Sequence, residues 1–112
     1  SMQTPGQGFL TTGNIKFDGK YFFVNAQVKN LQVEILDEKG KVIPGFSKDD
    51  CEALKDLNST KQMVTWKSGK DLSSLTDKVV KIKFYVTDGD LYAFWISLLF
   101  SGENIASHCG KL

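Results

Sequence analysis

With 112 residues, 41% of them hydrophobic, the chain suits one domain whose folding buries roughly 60–70% of the surface it would expose unfolded. Its basic residues are all lysine, and 14 of them against 13 acidic residues leave a formal net charge of +1. The lack of arginine and the near-neutral balance argue against a nucleic-acid partner, which favours bidentate guanidinium contacts and a basic footprint. No stretch reaches the about 18 apolar residues of a membrane-spanning helix, so no membrane partner is expected.

Helix signals are nearly absent, and strand signals recur about every ten residues, as in a sandwich or barrel. Ser1 to Gln7 reads as a disordered remnant, with Ser1-Met2 resembling a cloning scar. From Gly8 a short strand runs to Phe17 with a glycine break. In "KYFFVNAQV", Phe22, Val24, Ala26 and Val28 share one face, and Tyr21, Phe23, Asn25 and Gln27 the other. "LQVEIL" alternates more cleanly, with Leu31, Val33 and Ile35 inward and Gln32 and Glu34 outward. "DEKGK" then turns the chain, Gly40 supplying a positive φ.

"IPGFSKDDCEAL", Ile43 to Leu54, gathers a serine, two aspartates, a cysteine and a glutamate after a Pro-Gly turn. A nucleophilic Cys51 would need a histidine base, and the one histidine, His108, lies more than fifty residues away. Asp49 and Asp50 could join Asp56, Asp88 or Asp90 around calcium, but no loop has a recognised ligand spacing. The expected reading is a structured crossover, in which Phe46 plugs the core, Asp50 or Ser47 caps a turn, and Cys51 packs as a small hydrophobe. No metal and no cofactor is expected.

"QMVTWK" is the next strand, with Val64 and Trp66 on one face, and Leu72 and Leu75 of the following loop tuck against the core. "VVKIKFYV" places Val80, Ile82, Phe84 and Val86 inward and Lys81, Lys83 and Tyr85 outward. "TDGD" then reads as a hairpin turn into "LYAFWISLLF", which is apolar on both faces. A two-residue Asp88-Gly89 loop would set Lys83 against Phe94. A three-residue loop would pair Phe84 with Phe94 and Lys83 with Trp95, and burial favours it. Trp66 and Tyr92 are assigned to the core, and residues 101–112 to a polar tail.

The segments "NAQVKNLQVEILDEKGKVIPGFSKDDCEAL" and "MVTWKSGKDLSSLTDKVVKIKFYVTDGDLYAFWIS" together resemble a domain found near the C-termini of bacterial glycosidase-like proteins. Many of those are five-bladed β-propeller hydrolases of the sucrose- and fructan-cleaving kind. The matched features are an Asn-Ala strand end, Val-Glu-Ile-Leu-Asp, the Gly-Phe-Ser loop, Asp-Cys, Val-Thr-Trp and Leu-Tyr-Ala-Phe, spanning about Thr11 to Ser97. The chain departs from the family at "KDLNST", where Gly-Asp-Ser is usual, so a reshaped loop is expected there. The resemblance implies a β-sandwich appended to a catalytic domain, with no catalysis of its own.

Together these observations predict an all-β, antiparallel β-sandwich, jelly-roll-like, with about eight strands over residues 8–100. No enzyme activity is expected, because no pair of carboxylates stands apart from the turns. The expected function is a non-catalytic accessory module that stabilises or orients a glycosidase-like catalytic domain, with weak carbohydrate contact. The alternative is a stand-alone protein-interaction or homodimerisation module. In either case the candidate contact residues are Tyr85 and Trp95, flanked by Lys83 and Lys81 and extended by Tyr21. Sugar C–H faces stack on such rings, and protein partners bury them.

Overall fold

Among the described residues the chain forms five antiparallel strands, the β-branched and aromatic runs building the two longest, named here in chain order: β1 (Met2–Thr11), β2 (Tyr21–Asp37), β3 (Leu54–Val64), β4 (Val80–Ser97) and β5 (His108–Lys111). The computed structural model describes residues 2–103 and 108–111, with side chains over residues 6–103. The strands form one sheet in the order β1-β4-β2-β3, and β5 pairs with β4. The fold is all-β, and its only helical element is a single 3-10 turn at Ser73–Leu75 among the described residues. β1 starts at Met2, within the segment read as a remnant, and β5 lies within the segment read as a tail.

The expected count of about eight strands is corrected. "KYFFVNAQV" and "LQVEIL" form one continuous strand of 17 residues, and "VVKIKFYV" and "LYAFWIS" form one of 18. The hairpin at "TDGD" does not exist. Both halves of β4 pair instead with β2, from Tyr21 opposite Ser97 to Asp37 opposite Val80, so Lys83 faces Glu34 and Trp95 faces Phe23. "KDLNST" is corrected too: it is strand β3 rather than a loop, paired with β2 from Leu31 back to Phe22.

The long sheet is folded over on itself. Phe84 and Phe94 stand ten residues apart on one strand, about 33 Å if extended, yet their ring centroids are 5.3 Å apart. Phe22 reaches Phe84 at 6.1 Å and Phe94 at 5.7 Å. The two halves of β2 and β4 therefore face each other across one core, giving a two-layered, sandwich-like body from a single sheet.

The crease crosses three strands. Asp56 on β3 and Asp88 on β4 adopt positive φ values of 48° and 43°, and the register sets both level with Lys29 of β2. Asp and Asn tolerate this region better than other side chains. At the crease a Cβ on Gly89 would stand 2.1 Å from the Gln27 carbonyl oxygen, so only glycine lets the strands approach this closely. The Asp88 carboxylate accepts the Gly6 N–H at 2.6 Å, which ties β1 to the bend. Inward positions change phase here: Phe22, Val24, Ala26 and Val28 are buried before it, and Leu31, Val33 and Ile35 after it. A bulge at Tyr92, between the pairs Asn25–Ala93 and Ala26–Leu91, adds further twist. It turns Tyr92 outward, 39% exposed, and corrects its assignment to the core.

The Ile43–Leu54 segment closes an open sheet edge. β3 leaves β2 at Leu31, and beyond that point the β2 backbone needs other partners. The Val33 N–H donates to Cys51 Sγ at 3.4 Å, and the Val33 carbonyl accepts Trp66 Nε1 at 3.2 Å. The Ile35 N–H donates to the Phe46 carbonyl, and the Ile35 carbonyl accepts the Ile43 N–H. Ser47 and Asp50 cap the turn reciprocally, the serine hydroxyl donating to the carboxylate and receiving the Asp50 N–H. Phe46, Cys51, Trp66, Leu72 and Leu75 are all buried, at 2–3% exposure.

Candidate functional site

Pairing register builds the site on the outer face of β1, β4 and β2. Three rows cross these strands: Gln7–Thr87–Asn30, Phe9–Tyr85–Gln32 and Thr11–Lys83–Glu34. The turn at residues 47–50 stands over one side, held by Gln32 Nε2 donating to the Lys48 carbonyl at 3.1 Å. The Lys48 N–H in turn donates to Glu34 at 2.8 Å. A shallow groove of about 360 Å³ lies between Gln7, Phe9, Asn30, Gln32, Lys48 and Tyr85.

Glu34 organises the groove floor. It is only 8% exposed, and its second carboxylate oxygen accepts the Tyr85 hydroxyl at 3.1 Å. Held at its tip, Tyr85 packs tilted against Phe9 with centroids 6.5 Å apart. Lys83 Nζ sits 4.5 Å from the Phe9 centroid and 5.0 Å from that of Tyr85, and Lys48 Nζ sits 4.8 Å from Tyr85. These are cation–π distances. Phe9 remains 65% exposed, a large ring open to solvent.

Of the five residues named from sequence, Tyr85 lines this groove, and Lys83 stands beside it with its ammonium against the Phe9 and Tyr85 rings. Lys81 shares their face one step along β4, opposite Leu36. Trp95 and Tyr21 lie on the other side of the crease. Trp95 stacks on the buried Phe23 at 5.6 Å, and its Nε1 donates to the Gly102 carbonyl at 2.9 Å. Tyr21 meets Phe100 edge-on at 5.4 Å. A platform joining Tyr85 to Trp95 beside Lys83 is therefore corrected: it needed the hairpin, and the two residues are ten positions apart along one strand.

Sequence reasoning missed Phe9, Lys48 and Glu34. Glu34 carried a partial signal, since strand alternation alone puts it on an outward face, while its place beside Tyr85 comes from register. Nothing local marked Lys48, because its place depends on the turn folding back over β2.

Cys51 has a structural environment. Burial pushes its thiol up to about 11, with the Val33 N–H bond offsetting part of the rise. At neutral pH it is a protonated, inaccessible thiol and a poor nucleophile. Among the described residues no group of three or more His, Cys, Asp or Glu side chains is placed to hold a metal ion. Asp50 caps its turn, Asp88 binds Gly6, and Asp90 accepts the Tyr92 hydroxyl. His108 and Cys109 lie outside the residues whose side chains are described, and with them any pairing of Cys109 with Cys51. Comparison with protein-family models, curated proteins and solved structures gives no match to this chain.

Proposed function

We propose that the chain is a non-catalytic β-sandwich module that accompanies a glycosidase-like catalytic domain and contacts carbohydrate weakly through the Phe9–Tyr85 groove. The observation that carries this reading is the fixed aromatic wall. Tyr85 is locked by Glu34, and beside it Phe9 offers an exposed face bordered by the amides of Gln7, Asn30 and Gln32. Sugar C–H faces stack on such rings while amides take the hydroxyls. The accessory role in this proposal comes from the resemblance of the two quoted sequence segments to a glycosidase-associated domain.

A protein-interaction or dimerisation role is the second reading, and a separate observation favours it. Leu98, Leu99 and Phe100 are consecutive and 43%, 38% and 70% exposed, an apolar surface of the kind partners cover.

Titration of the isotopically labelled protein with a panel of oligosaccharides, followed by NMR, tests the proposal. The expected result is fast-exchange shifts at Gln7, Phe9, Tyr85 and Thr87, with every sugar recovered intact. Turnover of any sugar would make the chain an enzyme and overturn the reading. Silence at the groove, together with concentration-dependent shifts confined to residues 98–100, would transfer the function to self-association.

A further inference from the structure

The groove has a sign as well as a shape. Lys48 and Lys83 both bring their ammonium groups to the Tyr85 ring, at 4.8 and 5.0 Å from its centroid. Lys48 is part of the groove lining, Lys83 stands beside it against Phe9 and Tyr85, and no carboxylate lies among the lining residues. Glu34 sits beneath them, with one oxygen taken by the Lys48 N–H and the other by the Tyr85 hydroxyl. A ring face holds an ammonium by its quadrupole and leaves the full positive charge available to a newcomer. The remaining polar lining is neutral: Asn30 donates to Gln32 and Gln32 to the Lys48 carbonyl, and their remaining amide groups, with Gln7 and Thr87, are suited to hydroxyl groups.

From this arrangement we infer that the groove takes an acidic saccharide, a uronic-acid residue whose ring lies on Phe9 and whose carboxylate meets the ammonium groups of Lys83 and Lys48. The inference rests on the carbohydrate reading of the groove and adds the charge of the ligand to it. Charge complementarity carries the acid. The exposed 65% of Phe9 and the neutral amides carry the sugar, since an acidic peptide would need the lysines but not the open ring. An ammonium–carboxylate contact at a partly desolvated site is a charge-assisted hydrogen bond, stronger than the neutral contacts around it.

The test titrates the labelled full chain with trigalacturonate, with the same trisaccharide after carboxyl reduction, and with a glutamate tripeptide. Trigalacturonate is expected to shift the amides of Phe9, Tyr85 and Thr87 and to bind about tenfold more tightly than the reduced sugar. Its affinity should fall as salt is raised through the range where the Debye length drops below about 10 Å. Lys83→Gln and, separately, Lys48→Gln should lower trigalacturonate affinity toward that of the reduced sugar while leaving the reduced sugar's own affinity and the melting temperature unchanged. Equal binding of the two sugars at the groove would overturn the acid preference and leave the carbohydrate reading standing. Equal binding of the tripeptide and trigalacturonate would overturn the inference, as charge alone would explain it. No shift at the groove from either sugar would overturn both the inference and the reading beneath it.

Discussion

The outer face of the sheet has two ends, and each carries an aromatic pair built by the same alternation. Trp95 of β4 lies against Phe23 of β2, and Tyr85 of β4 lies against Phe9 of β1. Residues 98–103 fold over the first pair. Ser97 anchors them, its hydroxyl donating to the Glu103 carbonyl and accepting the Leu99 N–H, and the Gly102 carbonyl takes the Trp95 indole. Under that cover Phe23 is 3% exposed, while Phe9 at the other end is 65% exposed. An outward aromatic on a strand thus becomes a second small core or an open wall according to what a distant segment lays across it. Strand pattern alone does not decide between them.

Breaking the covered end should give the largest effect. Trp95→Ala removes a ring stacked on a buried neighbour and leaves the Gly102 carbonyl without its indole donor. Truncating large aromatics in such settings costs about 3–5 kcal/mol when burial is complete. Because Trp95 is only partly buried, a loss of about 2–4 kcal/mol in denaturant unfolding is expected. A loss below about 0.5 kcal/mol, typical of a free surface position, would show that residues 98–103 do not seal this end in solution.

A smaller effect should follow from disturbing the cover and not the ring. Gly102 has a φ of 75°, and a Cβ there would stand 2.8 Å from the Phe23 ring. Gly102→Ala therefore meets both backbone strain and a clash, which together cost about 1–3 kcal/mol. Tryptophan emission should shift toward that of a wetter indole, since Trp66 is buried at 2% exposure and unaffected. An unchanged stability and spectrum would mean that the loop can lift without cost, which would make the two ends alike.

Much of the inner face is legible in the sequence. Val80, Ile82, Phe84 and Val86, and Leu31, Val33 and Ile35, alternate as read and are buried at 0–1%. The core role of Phe46, Cys51, Trp66, Leu72 and Leu75 was legible too, because each is apolar and stands alone among polar neighbours. What failed was connectivity. Asp-Gly supplies positive φ equally to a two-residue hairpin and to a crease in a continuous strand, and only the partner strand distinguishes them. A trace did exist in the phase change between Val28 and Leu31, where inward positions fall three apart instead of two. The matched change between Val86 and Leu91 on β4 marks the same line. Without the hairpin the site divides: Trp95 joins Tyr85 only if the chain doubles back between them, and β4 is one continuous strand. Phe9 and Glu34 arrive at Tyr85 from strands 76 and 51 residues distant in sequence, a proximity that register creates and local pattern does not.

The open end should give the smallest stability change, and that smallness is itself the test. Phe9 sits on β1 at the border of the sheet, pairs with Tyr85, and has most of its ring in water. Its contacts are the tilted Tyr85 ring and the Lys83 ammonium at 4.5 Å. Such exposed aromatic and cation–π contacts contribute about 0.5–1 kcal/mol each at most. Alanine also releases the Lys83 side chain to water, which regains rotamer entropy and offsets part of the loss. Phe9→Ala is therefore expected to change unfolding free energy by about 0.5 kcal/mol, several-fold less than Trp95→Ala measured under the same conditions. Tyr85 should keep its place, because Glu34 holds the hydroxyl from below whether or not Phe9 is present. A cost for Phe9→Ala matching that of Trp95→Ala would make Phe9 a structural plug, place both ends of the face in the same class, and remove the ring on which a sugar would rest.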